Sequence, residues 1–146
     1  MADIPKLDQF AWRRPLTVRW GDMDSMGHVN NVKYFTYDEQ VRIDYFAELM
    51  RDDPRFWKDY GLILAHIEAD FVSQVHCPAE LEIGFRISKL GRSSFQTEAL
   101  MTWQGKAAAV TRAILVWFDY RNNQSLPLPE AVKQKIRAAE KTPPAE

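Results

Sequence analysis

The spacing of apolar residues changes along the chain, and these changes predict the order of its elements. Leu16, Val18 and Trp20 alternate with polar neighbours, the period-two pattern of a half-buried strand. From Val29 onward the period lengthens to three and four residues, which predicts an amphipathic helix of about 20 residues and roughly 30 Å. The apolar stripe of this helix consists of Tyr34, Tyr37, Val41, Tyr45 and Leu49, widened by Phe35, Phe46 and Met50.

The second half of the chain has the pattern of strands. The stretch LILAHIEADFV is apolar and extended, and ELEIGFRISKL alternates, with Leu81, Ile83, Phe85 and Ile87 on one face. FQTEALMTW predicts another strand, QGK a tight hairpin, and AAAVTRAILVWFDY a strand buried on both faces. The stretch LPLPEAVKQKIRAAE predicts a short amphipathic helix. The expected order is a strand, a long helix, four strands in meander-like succession and a short helix.

These elements predict a single α+β domain over residues 1–146, in which a curved antiparallel sheet of about five strands wraps the long helix. A length of 146 residues fits one domain. We expect residues 1–12 and 141–146 to be flexible. A sheet of this kind on a small protomer leaves an edge and a face uncovered, so we predict a homodimer or homotetramer.

Composition narrows the class of protein. Hydrophobic residues make up 46% of the chain and charged residues 27%, as in an ordinary folded protein. The net charge of -1 provides no field to gather polyanions, so nucleic acid is not an expected partner. No run approaches the roughly 18 apolar residues of a membrane span, and no secretory signal is recognisable, so we expect a cytoplasmic protein. Cys77 is the only cysteine, which excludes an internal disulfide.

Polar and turn-forming residues crowd into WGDMDSMGHVNN, residues 20–31, between the first strand and the helix. Asp22 and Asp24 follow the strand and Gly27 precedes the helix, so both carboxylates should lie near the helix N-terminus. The first N–H groups of a helix lack intrahelical acceptors, and the helix dipole favours negative charge there. A thioester carbonyl placed against these N–H groups would be polarised, and a nearby aspartate could attack it or deprotonate water. The stretch fits half of an acyl-transfer site.

Helix capping and metal binding also fit the same residues. Asp and Asn cap helices and Gly supplies turns, so the stretch could be a well-capped helix start and nothing more. Asp22, Asp24 and His28 could instead bind a divalent ion, although no carboxylate motif accompanies the other histidines, His66 and His76. The sequence contains neither a GxSxG nucleophile elbow nor a glycine-rich phosphate loop. The residues alone leave acyl transfer, helix capping and metal binding open.

The stretch WGDMDSMGHVNNVKYFTYDEQVRIDYF resembles the strand-loop-helix motif of hotdog-fold acyl-CoA thioesterases of the 4-hydroxybenzoyl-CoA thioesterase type. The family hallmark is D-x-D-x-x-G followed by a helix with an early tyrosine. The variant ending in HVNNxxY resembles the branch with long-chain acyl-CoA and plant acyl-carrier-protein thioesterases. The resemblance covers most of the chain and implies a hydrolase of lipid metabolism, without metal or other cofactor. Its substrate would be an acyl-CoA, or an acyl-carrier-protein thioester.

The resemblance also implies roles for individual residues. The catalytic carboxylate of the family matches Asp24, as base or nucleophile, and Asp22 would be structural. The backbone N–H that polarises the carbonyl matches Asn31, with Gly27 and His28 shaping the loop. In this family the coenzyme A arm crosses a subunit interface and meets basic residues. The substrate-binding candidates are Tyr34 in the acyl pocket and Arg92, Ser93 and Ser94 towards coenzyme A.

Two other functions remain alternatives. A hotdog hydratase or dehydratase acts on acyl thioesters, but such enzymes place a histidine and a carboxylate differently. A binding module would hold acyl-CoA or an acyl-carrier protein without chemistry. Turnover of a thioester separates the proposed enzyme from the binding module.

Overall fold

The protein is described by a computed structural model over residues 3–146. Residues 1 and 2, part of the range predicted to be flexible, lie outside the described residues. Over the described range the helices are α1 (Asn31–Leu49) and α2 (Glu130–Ala139). The strands are β1 (Trp12–Thr17), β2 (Tyr60–Phe71), β3 (Glu80–Leu90), β4 (Ser94–Trp103), β5 (Lys106–Asp119) and the two-residue β6 (Gln124–Ser125).

One antiparallel sheet contains all the strands, in the order β1-β3-β4-β5-β2, with β6 paired to β5. The predicted α+β architecture, a long helix wrapped by a sheet of five main strands, is confirmed. The predicted meander is correct for β3, β4 and β5 and wrong for β2, which pairs with β5 at the far edge. Alternation along a strand determines its two faces but not its neighbours, which depend on how the sheet curls around α1.

The core lies between α1 and the concave face of the sheet. The predicted stripe is confirmed at six of its eight positions and is half-buried at the other two, Phe35 and Leu49. The six buried residues are Tyr34, Tyr37, Val41, Tyr45, Phe46 and Met50. The ring of Tyr45 lies 5.1 Å from that of Phe85 on β3. Burying one such aromatic side chain contributes about 1.5–3 kcal/mol. This packing fixes the position of α1, and therefore of its N-terminus, relative to the sheet.

The first strand ends earlier than the alternation predicts. Val18 is buried, and its N–H donates to the carbonyl of Ala79 at 2.9 Å. Trp20, expected on the same buried face, is instead 85% exposed. The reason is that Trp20–Asp22 forms a single 3-10 turn, in which the period-two pattern no longer applies. This turn redirects the chain towards the start of α1.

Segments near both ends of the described chain pack onto the sheet. Phe10 is buried against the convex face, and a Cβ added to Gly84 would lie 2.6 Å from its ring, so the close approach requires glycine there. Near the other end, Ala145 donates from its N–H to the carbonyl of Ser88 at 3.0 Å. Its own carbonyl accepts from the Leu90 N–H at 2.7 Å. These contacts place both segments on the sheet, away from the start of α1.

Candidate active site

A tight loop joins the 3-10 turn to α1. Met23 and Val29 pair as an isolated bridge at its base. The Asp24 N–H donates to the carbonyl of His28 at 3.0 Å, and the Asp24 carbonyl accepts from the Gly27 N–H at 3.2 Å. Gly27 has a φ of 86°, a conformation that glycine adopts without steric cost. These hydrogen bonds hold the backbone of Asp24, and therefore the position of its Cα–Cβ bond, in the loop.

Asp22 ties the loop to the body of α1. Its Oδ2 accepts from the Arg19 N–H at 3.0 Å and from the hydroxyl of Tyr37 at 2.6 Å. Its carbonyl accepts from the Asn30 N–H at 3.0 Å. Burial, reinforced by the Asp22 carboxylate, raises the pKa of Tyr37 above its usual range, so the phenol stays a hydrogen-bond donor. Asp22 is therefore bonded to Arg19, Tyr37 and Asn30 through its side chain and its backbone.

The N-terminus of α1 offers one free N–H group. Asn30 is the N-cap, and its Oδ1 accepts from the Val32 N–H at 3.0 Å. The Asn30 carbonyl accepts from the Lys33 N–H at 2.9 Å. Across the described residues, the Asn31 N–H has no acceptor. The cap thus satisfies the neighbouring donors and leaves the Asn31 N–H pointing out of the helix end.

Within residues 3–146, Oδ1 of the Asp24 carboxylate accepts a hydrogen bond in the loop and Oδ2 accepts none. Oδ1 accepts from the Met26 N–H at 2.9 Å. Oδ2 lies 3.8 Å from Nδ1 of His28, beyond hydrogen-bond length. The side chain is 20% exposed, so the second oxygen can meet a ligand without leaving its turn.

Asp24 and Asn31 line the same cavity, of about 350 Å³, between the start of α1 and the end of β2. Tyr34 is buried in its wall, with its ring 5.6 Å from that of Phe71, and this burial raises the pKa of its hydroxyl. Four larger grooves, of about 480, 390, 410 and 580 Å³, are lined by neither Asp24 nor Asn31. The cavity is lined by Asp24, Met26, His28, Val29, Asn31, Tyr34, Phe71, Val72, Ser73 and Gln74.

Three of the predicted site residues lie elsewhere. The turn Arg92–Ser94 is at the opposite end of the sheet, where Ser94 pairs with Val116. The cavity is at the end where Phe71 pairs with Ala109. The stretch of β5 from Ala109 to Val116 spans about 23 Å at ~3.3 Å per residue. One protomer therefore brings together Asp24, Gly27, His28, Asn31 and Tyr34, but not Arg92, Ser93 or Ser94.

The second wall of the cavity is not predicted by any pattern in the sequence. This wall is the end of β2 and the connection to β3, residues 71–74. The same holds for His76, further along that connection, whose Nδ1 lies 2.8 Å from the carbonyl oxygen of Gly27. These residues come 40 or more positions after the loop that they face, and no local pattern in the sequence joins the two segments.

Asp22, Asp24 and His28 are the residues that the sequence offers as metal ligands. Within residues 3–146, no three His, Cys, Asp or Glu side chains are grouped so that they could hold a metal ion. The carboxylates of Asp22 and Asp24 accept from different groups, the former from Tyr37 and the latter from the loop backbone. Among the described residues, neither α1 nor α2 has the length and apolar composition of a membrane span.

A long helix inside a curved antiparallel sheet, with a carboxylate at the helix N-terminus, defines a hotdog-fold protein. Residues 18–136 match the model of the Thioesterase-like superfamily. The match covers most of the chain, so the protein belongs to that superfamily.

Three relatives illustrate the similarity. A thioesterase from Thermus thermophilus, solved in complex with coenzyme A and Zn, is 35% identical with a TM-score of 0.82, covering 93% of this chain and 98% of that chain. The uncharacterized protein YsmA of Bacillus subtilis is 35% identical over 85 residues, covering 58% of this chain and only 56% of that protein. The 1,4-dihydroxy-2-naphthoyl-CoA hydrolase of Synechococcus elongatus is 24% identical over 123 residues, covering 82% of this chain and 90% of that protein.

Proposed function

We propose that the protein is an acyl-CoA thioesterase, which hydrolyses its substrate to a free acid and coenzyme A in the cytoplasm. The observation that carries the proposal is a single cavity lined by both Asp24, whose Oδ1 alone accepts in the loop, and Asn31, whose N–H has no acceptor among the described residues. These two residues supply a carboxylate and a carbonyl-polarising donor, the two groups that thioester cleavage needs. The named thioesterase relatives support the same reaction.

In the proposed mechanism the thioester oxygen accepts a hydrogen bond from the Asn31 N–H. This donor strengthens its interaction as negative charge develops on the oxygen, a contribution of about 3–4 kcal/mol when such a donor is well placed. Asp24 either removes a proton from the attacking water or attacks the carbonyl itself. In both routes coenzyme A leaves as a thiolate and water supplies the hydroxyl of the acid. Gly27 and His28 shape the loop that holds these groups.

The acyl group would occupy the space beside Tyr34 and Phe71. This wall is aromatic and apolar, which suits either an aryl group or an aliphatic chain. The motif resemblance and the naphthoyl-CoA relative support the 4-hydroxybenzoyl-CoA type, whereas the HVNN variant supports a longer aliphatic acyl group. A substrate panel separates the two.

The coenzyme A arm would be held by a second copy of the chain. β2 is an edge strand that runs from Tyr60, near the Arg92–Ser94 turn, to Phe71 at the cavity. If two copies pair antiparallel through β2, the cavity of one lies beside the Tyr60 end of the other. The partner's Arg92, with the hydroxyls of Ser93 and Ser94, could then bind the phosphates. In this arrangement Arg92, Ser93 and Ser94 of one copy would bind the coenzyme A arm of a substrate held in the cavity of the other copy.

The self-association is tested by measuring molar mass in solution. Ile63 on β2 and Ile43 on α1 are each 42% exposed, so they form a matched pair. We expect the wild type to have at least twice the protomer mass of 17.0 kDa. Ile63→Lys should be monomeric because a charge on an edge strand opposes strand pairing, and Ile43→Lys should keep the wild-type mass. A monomeric wild type, or an Ile63→Lys variant of unchanged mass, would contradict pairing through β2.

The activity is tested by free-thiol release from a panel of thioesters. The panel runs from acetyl-CoA to palmitoyl-CoA and includes benzoyl and hydroxybenzoyl thioesters, an acyl-carrier-protein thioester and an N-acetylcysteamine thioester that lacks the nucleotide. We expect turnover of at least one CoA thioester and a higher KM for its N-acetylcysteamine counterpart. Tight binding of an acyl-CoA without turnover would instead identify a binding module, and hydration of an enoyl-CoA would identify a hydratase.

A further inference from the structure

Two carbonyl groups just before α1 are taken by other donors. In an α-helix the N–H of one residue donates to the carbonyl four positions earlier, so continuation of α1 would give Asn31 to Gly27 and Val32 to His28. Instead, the Gly27 carbonyl faces Nδ1 of His76 at 2.8 Å. The His28 carbonyl accepts from the Asp24 N–H at 3.0 Å. Each of these two carbonyl oxygens therefore already accepts one hydrogen bond from a group outside α1.

His76 is exposed, but its ring and the residue before it both have contacts near the loop. The preceding residue, Val75, accepts from the Val29 N–H at 2.9 Å, which fastens the connection to the loop. The imidazole ring contacts the rings of His28 and Trp103 edge to face, each at a centroid distance of 6.1 Å. Because a carbonyl oxygen only accepts, Nδ1 of His76 must carry the hydrogen. The imidazole therefore donates to Gly27 in its Nδ1–H neutral form and in its cationic form.

We propose that His76 is a positioning residue that keeps the Asn31 N–H free for the thioester. By binding the Gly27 carbonyl, it holds this acceptor away from the Asn31 donor. Without that bond the carbonyl can turn towards Asn31 and add one hydrogen bond to α1. The substrate oxygen would then have to displace a backbone bond before it could be polarised. This inference rests on the proposed function, because it assigns a catalytic use to the free N–H.

The side-chain geometry of Asn and Gln provides a matched pair of variants. The amide nitrogen of Asn can take the place of Nδ1, whereas that of Gln lies one methylene further out, near the place of Nε2. His76→Asn should therefore keep the donor to Gly27, and His76→Gln should lose it while remaining polar. His76→Ala removes the donor altogether. If the Ala variant does not fold, the comparison of Asn with Gln still decides the question.

The kinetic test measures kcat and KM of these variants with the best substrate of the panel. We expect kcat to fall about 10- to 100-fold in His76→Ala and His76→Gln. This loss should not exceed the fall in kcat that follows removal of an oxyanion-hole donor itself. KM should change little, and His76→Asn should stay within about threefold of the wild type. A kcat of His76→Gln equal to that of His76→Asn would overturn the proposal.

Two non-hydrolysable ligands test whether the effect acts through the carbonyl. One is a ketone analogue of acyl-CoA with a methylene in place of sulfur, and the other is an S-alkyl thioether of coenzyme A without a carbonyl. Loss of the Gly27 contact should weaken binding of the ketone about tenfold and leave the thioether unchanged, a difference of ~1.4 kcal/mol for the ketone. Equal weakening of both would show a merely structural role and would overturn the proposal.

Amide hydrogen exchange at Asn31 tests the inference without any turnover. The Asn31 N–H should exchange faster in the wild type and His76→Asn than in His76→Gln, where it gains the Gly27 acceptor. Equal exchange in all three would overturn the proposal. A wild type that hydrolyses no thioester but shows this exchange pattern would refute the proposed function and keep the structural part of the inference.

Discussion

Replacing Asp24 with asparagine is expected to lower thioester hydrolysis by about 100- to 10,000-fold. The amide has nearly the shape of the carboxylate, and its oxygen can still accept from the Met26 N–H that now donates to Oδ1 at 2.9 Å. The loop should therefore keep its conformation, while the side chain can neither accept a proton from water nor attack a carbonyl. The measurement is kcat and KM for the best substrate, together with the thermal unfolding midpoint and the affinity for the ketone analogue.

Asp22→Asn is the matched control, because it makes the same change two residues earlier in the same loop. Asp22 is buried and accepts from Tyr37 at 2.6 Å, so its replacement should lower stability by about 1–3 kcal/mol. Its effect on kcat in the folded protein should be far smaller than that of Asp24→Asn. The two variants thus separate chemistry from loop stability. Wild-type turnover in Asp24→Asn would remove Asp24 from the mechanism.

The elements that carry local patterns could be predicted from the sequence. The stripe of Tyr34, Tyr37, Val41 and Tyr45 predicts α1 and its buried face. Residues three or four positions apart lie on the same side of a helix, so their spacing identifies that side. The alternation in β3 predicts its buried face equally well. The motif around Asp24 lies on a short loop before a helix, so its residues meet near the N-terminus of that helix in any fold that keeps both elements.

Features that depend on contacts between distant segments could not be predicted. The sequence provides no signal that β2 pairs with β5. The alternation of apolar and polar residues determines which face of a strand is buried, but it does not determine which strand lies beside it. The position of His76 beside Gly27 follows from that topology, because the connection after β2 must cross the loop to reach β3. The predicted burial of Trp20 failed for a local reason, the 3-10 turn that ends the strand pattern.

The largest effect on stability is expected at a buried ion pair that the site does not use. Asp38 lies on the sheet-facing side of α1 and is fully buried. Its two oxygens accept from the hydroxyl of Thr111 at 2.6 Å and from the guanidinium of Arg42 at 2.7 Å. Burial raises the pKa of Asp38, an effect that the Thr111 hydrogen bond and the Arg42 charge only partly offset. The carboxylate is thus costly to bury and depends on both partners.

Asp38→Leu should lower the free energy of unfolding by about 3–5 kcal/mol, because it leaves the buried Arg42 with only the exposed Glu39 carboxylate, 3.9 Å away, as a counter-charge. The double variant Asp38→Leu/Arg42→Met should recover much of this loss, since replacing both partners with apolar groups removes the unpaired charge. The measurement is urea unfolding followed by tryptophan fluorescence, at one protein concentration because self-association adds to apparent stability. A double variant no more stable than Asp38→Leu would show that the cost lies in packing. In that case Asp38 and Arg42 would stabilise the core mainly through the fit of their side chains, and their charges would contribute little to the free energy of unfolding.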